Sequence, residues 1–165
     1  LGEGGRLGVV VGAAGSGKTT LLRPLVAAWT AQGRAVHGVA LAWRQADDLA
    51  DAGIPRGNVR ALSVFLEAAK ADGLVLDRGS VVVVDELGLL GTRQGLELLR
   101  LQEARGFRLA MLGDDRQCQA IEAGPIVDLV RRALGPDQVP EILTTVRQRA
   151  ERERDEAQRV DLDAA

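Results

Sequence analysis

Four consecutive valines, Val81–Val84, run directly into two carboxylates, Asp85 and Glu86. A β-branched run without polar alternation has no solvent face, so the strand it forms must be covered on both sides. Comparable apolar runs recur at Leu7–Val11, Ala35–Leu41, Phe107–Leu112 and, more weakly, Val139–Leu143. Between them lie segments of helical period: Thr19–Gln32, Arg44–Ala52, Leu62–Asp72, Thr92–Arg105 and Gly124–Leu134. This alternation predicts an α/β fold, a mostly parallel sheet between two helical layers. Over Thr92–Arg105 the pattern reads as a half-buried helix, with Leu96, Leu99 and Glu103 on one face and Gln94, Arg100 and Gln102 on the other. Gly53–Gly57 and Gly135-Pro136-Asp137 are turn signals. Residues 1–150 read as one domain, and the run Glu151-Arg-Glu-Arg-Asp-Glu156 opens a charged helix or linker over 151–165.

Composition narrows the function classes. A chain of 165 residues accommodates one domain. No apolar stretch approaches the roughly 18–20 residues of a membrane span. The start, Leu1-Gly-Glu-Gly-Gly-Arg6, lacks the features of a secretion signal, so a cytoplasmic location is expected. One cysteine, Cys118, and one histidine, His37, exclude a disulfide framework and argue against a His/Cys metal cluster. The net charge of −2 confines any nucleic-acid contact to a local patch, and aromatics at 2% leave no broad stacking platform. Of the 21 basic residues only Lys18 and Lys70 are lysine, a skew expected of a GC-rich genome; a chemical reason is therefore sought where lysine is kept.

Lys18 has one. Gly12-Ala13-Ala14-Gly15-Ser16-Gly17-Lys18-Thr19 matches G-x-x-x-x-G-K-[ST] in full, after a Val-rich strand and before a helical segment. The glycines let successive backbone N–H groups converge on phosphate oxygens, and the helix N-terminus adds partial positive charge. Lys18 supplies a point charge to the β/γ oxygens, and the Thr19 hydroxyl suits Mg²⁺. The expected ligand is a nucleoside triphosphate with Mg²⁺, contacted by Gly12–Thr19 and the following Thr20.

A buried strand cannot retain Asp85 and Glu86 in its core, so they emerge at its C-terminal end, where open parallel sheets bind ligands. Asp85 suits the metal; Glu86 suits orienting and deprotonating an attacking water. Phe107–Leu112 likewise runs into Gly113-Asp-Asp-Arg-Gln117, where the Gln117 amide suits sensing of a γ-phosphate or water. Arg147 and Arg149, after the last apolar run, are candidates to neutralise the transferring phosphoryl group.

In order, Gly-x4-Gly-Lys-Thr, Asp85-Glu86, Gly113-Asp-x-x-Gln117 and Arg147-Gln148 resemble the first lobe of a superfamily 1 helicase motor. Gly91-Thr-Arg-Gln94 and Gln119-Ala-Ile-Glu-Ala-Gly124 resemble its RecD-like branch, as found in conjugative relaxase–helicases of the TraA/TrwC type. The resemblance covers Arg6 to about Gln158. It implies a RecA-like P-loop NTPase lobe of three layers, α/β/α, that hydrolyses ATP with Mg²⁺ to move along and unwind single-stranded DNA. It assigns Thr19 and Asp85 to the metal and Glu86 to base catalysis. Gln117 becomes the γ-phosphate sensor, and Arg147 the phosphate-contacting arginine with Arg149 as fallback.

The chain departs from the family pattern at three places. Asp85-Glu86-Leu87-Gly88-Leu89 stands where Asp-Glu-Ala-Gly-Met is usual. Ala42-Trp43-Arg44 replaces a Thr/Ser-Gly step that contacts DNA, which makes Trp43 and Arg44 the candidates there. The Thr expected near Ala61 is absent, leaving Ser63. Nothing after Ala150 resembles the second lobe, and Leu1 stands where an initiator Met would, so a piece of a longer protein is expected, with a second RecA-like lobe as partner and a relaxase domain as a further candidate. The alternatives are a stand-alone P-loop NTPase and a module that binds nucleotide without turnover.

Overall fold

The computed structural model describes residues 6–12, 18–41, 43–113, 132 and 141–142. The strands are β1 (Leu7–Gly12), β2 (Ala35–Ala40), β3 (Val59–Ala61), β4 (Ser80–Val84), β5 (Arg108–Gly113) and β6 (Glu141–Ile142). The helices among the described residues are α1 (Lys18–Ala31), α2 (Trp43–Asp51), α3 (Leu62–Lys70) and α4 (Thr92–Arg105). The sheet order is β3-β2-β4-β5-β1-β6, and every described pairing is parallel. The expected α/β fold is what the chain adopts. The expected helix at Gly124–Leu134 and the segment 151–165 lie outside the described residues.

Alternation along each strand sorts the core into two layers. Val9, Val11, Val82, Val84, Leu109 and Met111 pack with Phe65 and Leu66 of α3 and Leu98 of α4. Val10, Val81, Val83, Ala110 and Leu112 pack on the opposite face with Leu22, Val26 and Trp29 of α1 and Leu49 of α2. All four valines of β4 are fully buried, as a strand covered on both faces requires. Each such burial stabilises the fold by about 1.5 kcal/mol or more.

Two local readings change. Three-residue β3, Val59-Arg60-Ala61, was not expected; it pairs in parallel with β2 from Gly38↔Val59 to Ala40↔Ala61. In α4 the buried positions are Gly95 and Leu98, with Leu99 and Gln102 half-buried, whereas Leu96 is 46% exposed and Glu103 lies in solvent. The apolar face is therefore Gly95-Leu98-Leu99-Gln102, spaced i, i+3, i+4, i+7. Gln102 belongs to it because its Nε2 donates to the Phe107 carbonyl at 2.9 Å, tying the helix end to the start of β5. Gly106 closes α4 at φ +76, the left-handed cap that glycine accepts without strain.

Candidate functional site at the C-terminal edge of the sheet

Parallel strands bring Gly12, Ala40, Val84 and Gly113 to one edge of the sheet. β5 stands between β1 and β4, so the Gly12 and Val84 ends are two strand spacings apart, roughly 10 Å. That gap, between the end of β1 and the end of β4, is about the reach needed for phosphates and a metal.

On the β1 side, α1 begins at Lys18, whose Nζ donates to the Gly12 carbonyl at 2.7 Å. Ala13–Gly17 lie outside the described residues. Thr19 falls within α1, although its side chain lies outside the described set, and Thr20 is exposed in the same turn.

On the β4 side, the Asp85 N–H reaches back to the Val39 carbonyl at 3.4 Å, extending the ladder one step past the strand. Burial pushes the Asp85 carboxyl above its ordinary range. The Glu86 N–H, which donates to Asp85 Oδ1 at 2.8 Å, and the Lys18 charge oppose that push, while Asp48 adds to it. A carboxylate whose ionised form is penalised by burial gains most from a cation brought beside it, so Asp85 fits a Mg²⁺ role on its chemistry.

Glu86 adopts left-handed backbone angles, φ 55 and ψ 53. For a residue with a side chain this conformation costs roughly 1–2 kcal/mol. Immediately after it a short 3-10 turn, Leu87–Leu89, begins, in which Leu87 is fully buried, as is Leu90 just beyond. Those two leucines fix the turn from the core side and offset the strain. The Glu86 carboxylate is clamped: Gln45 Nε2 donates to its Oε2 at 2.6 Å, while Gln45 Oε1 accepts the Leu41 N–H at 2.7 Å. Gln45, only 4% exposed, thus joins the end of β2 to the acidic pair after β4.

Sequence reasoning missed Gln45. The signal was present: Gln45, Leu49 and Ala52 are spaced i, i+4, i+7 and all are buried, so a polar residue occupies the apolar face of α2. A buried amide needs partners, and Leu41 and Glu86 are among them.

Of the other candidates, Ser63 is exposed in the first turn of α3, beyond the same end of β3. Trp43 and Arg44 open α2, with side chains outside the described set, and Gln117, Arg147 and Arg149 lie outside the described residues. The structure therefore brings together Lys18, Asp85, Glu86 and Gln45. Among the described residues no group of three or more His, Cys, Asp or Glu side chains is gathered as a metal cluster. No helix among them is long and apolar enough to cross a membrane.

The family described as "AAA domain" (AAA_30) matches residues 1–164. The chain is 34% identical over 145 residues to the Probable conjugal transfer protein TraA of Sinorhizobium fredii, covering 87% of this chain and 13% of the relative. It is 33% identical over 147 residues to the conjugal transfer protein TraA of Rhizobium radiobacter, covering 88% of this chain and 13% of that relative. The chain thus spans about an eighth of the length of these relatives. Among solved structures it is similar to the cytoplasmic domain of the Thermomonospora curvata type VII secretion ATPase EccC, with TM-score 0.49, 17% identity, and coverage of 74% of this chain and 18% of that one. With Lys18 and an acidic pair on one edge of a parallel sheet, and a family match along nearly its whole length, the chain belongs to the AAA domain family AAA_30, as a relaxase-helicase-like RecA-fold domain.

Proposed function

We propose that this domain is the ATP-hydrolysing first lobe of a DNA helicase motor, acting with a second RecA-like lobe to move along single-stranded DNA. The observation that carries the reading is the clamp on Glu86. A carboxylate held by a buried amide at the end of β4, across the strand gap from Lys18, suits orienting a water toward a γ-phosphate. In this reading Gly12–Thr20 bind the nucleotide, and Lys18 moves from the Gly12 carbonyl to the β/γ oxygens. Thr19 and Asp85 hold Mg²⁺, which would neutralise developing phosphate charge. Gln117 senses the γ-phosphate and Arg147, or Arg149, contacts it from the domain edge. Trp43, Arg44 and Ser63 are the proposed contacts to single-stranded DNA, Trp43 by stacking on a base. A conjugative setting with an attached relaxase domain and a cytoplasmic location follow from the TraA relatives as proposals.

The test measures nucleotide affinity and phosphate release on this chain, with and without single-stranded DNA. Mg-ATP binding with slow hydrolysis and no strand separation is expected. Absence of Mg-ATP binding overturns the motor reading. Fast DNA-stimulated turnover by this chain alone overturns the requirement for a second lobe.

A further inference from the structure

The opposite edge of the sheet carries a feature that nucleotide chemistry does not use. In the sheet order β2-β4-β5-β1, four adjacent strands each enter from an arginine: Arg34 directly before β2, Arg78 two residues before β4, Arg108 as the first residue of β5, and Arg6 directly before β1. The pairings Ala35↔Ser80, Val81↔Arg108 and Leu7↔Leu109 keep these entries nearly level. The four arginines and Gly106 line one pocket of about 290 Å³, roughly ten times the liquid volume of a water molecule. Three strand spacings put the row at about 14 Å from end to end.

The pocket is built rather than a loose group of surface charges. Arg34 is half-buried, and its Nε donates to Gln32 Oε1 at 3.0 Å and its Nη1 to the Arg78 carbonyl at 3.3 Å. Both acceptors are neutral, so they orient the guanidinium without cancelling its charge. Gly106 makes room for Arg78, because a Cβ there would stand 3.1 Å from Arg78 Cγ. Among the described residues no carboxylate forms an ion pair with Arg6, Arg34 or Arg78. The nearby Asp77 turns its Oδ1 to the Gly79 N–H and the Ser80 hydroxyl, and Asp72 is paired with Arg105. A chain of net charge −2 thus gathers four guanidinium groups at one edge, a full strand length from Lys18 and Asp85.

We infer that this row binds phosphate oxyanions, and that its ligand is the backbone of a nucleic-acid strand lying across the N-terminal edge of the sheet. Guanidinium forks match phosphate oxygens two bonds at a time. The length of the row favours a repeating anion over a single phosphate, since phosphates recur every 3.4 Å of helix axis along a strand. The inference stands apart from the motor reading, because a domain that never hydrolysed ATP would carry the same row.

The test is binding of a fluorescein-labelled oligothymidylate of about 20 nucleotides, longer than the row, followed by anisotropy over a salt series. The wild-type chain is compared with Arg6→Gln/Arg78→Gln and Arg6→Glu/Arg78→Glu, and with the charge-matched control Arg93→Glu/Arg100→Glu on exposed positions of α4. Each is also made in a Lys18→Ala background to silence the phosphate loop. Melting by circular dichroism reports folding, and the milder Gln pair serves if the Glu pair unfolds. Losing two phosphate contacts should lower the slope of log affinity against log salt by about 1.4 and weaken binding roughly ten- to thirtyfold at 0.1 M salt. The control should bind as the wild type does. Unchanged affinity and slope in the Gln pair overturn the inference, as does an equal loss in the control, which would make the effect one of net charge. Displacement of the oligonucleotide by micromolar inorganic pyrophosphate in the Lys18→Ala background would assign the pocket to a small free phosphate and overturn the nucleic-acid assignment.

Discussion

Replacing Gln45 with methionine keeps the length of the side chain and removes its hydrogen bonds to Glu86 and Leu41. The bond from Nε2 to Glu86 is charge-assisted, worth about 1.5–3 kcal/mol, and the Leu41 N–H loses its acceptor at a further cost of about 1–3 kcal/mol. Leu41 and Glu86 are half-buried, so water recovers part of both terms. Burying a thioether in place of an amide returns about 1 kcal/mol. The net loss is about 2 kcal/mol, which for a chain of 165 residues lowers the melting temperature by about 4–8 °C. Thermal unfolding of Gln45→Met, Glu86→Ala and the double variant measures it. The double variant should lose about 1–2 kcal/mol less than the sum of the single losses, because the direct bond is counted twice in that sum. A melting temperature within about 1 °C of wild type, or strictly additive losses, would refute the clamp as a stabilising contact.

Three further outcomes follow from the same structure. His37 is buried with neither ring nitrogen hydrogen-bonded among the described residues, and burial, then the Arg60 charge, hold its pKa below 6.5. The folded chain binds that proton less readily than the unfolded chain, so the contribution is intact above pH 6.5 and declines as pH falls through the lowered folded value; His37→Leu should flatten the loss of melting temperature between about pH 7 and 5. A wild-type decline of equal size in the variant would assign the pH dependence elsewhere. Lys18→Ala removes one charge-assisted contact to phosphate and should weaken Mg-ATP binding by about 10- to 150-fold, read by calorimetry; unchanged affinity would sink the phosphate-loop role. Leu98→Ala in α4 should cost about 2–5 kcal/mol and Leu96→Ala less than about 0.5 kcal/mol in urea unfolding, and the reverse order would restore the helix face that the sequence pattern suggests.

That helix face illustrates where sequence reasoning stops. Leu96 and Leu99 suggest one stripe, but the surface that meets the core is centred on Gly95 and Leu98, because a glycine brings backbone to a neighbour without adding apolar character to the pattern. The short β3 carries an arginine and offers too few residues for alternation to register. By contrast, the Val81–Val84 run is dictated locally, by burial on both faces, and was legible from the residues alone. The clamp and the arginine row depend on strand order. Nothing along the chain indicates that β2 lies beside β4, and only that adjacency puts Gln45 against Glu86 and brings Arg34 level with the start of β4.

The role of Glu86 is the central claim, and one substitution isolates it. Glu86→Gln keeps a hydrogen-bonding partner for Gln45 and removes only the carboxylate's charge and basicity. Nucleotide affinity and single-turnover phosphate release are to be measured side by side on this variant and the wild type. The account predicts Mg-ATP affinity within about twofold of wild type and hydrolysis slower by about 100-fold or more. Hydrolysis at the wild-type rate would remove Glu86 as the base and contradict the account at its centre.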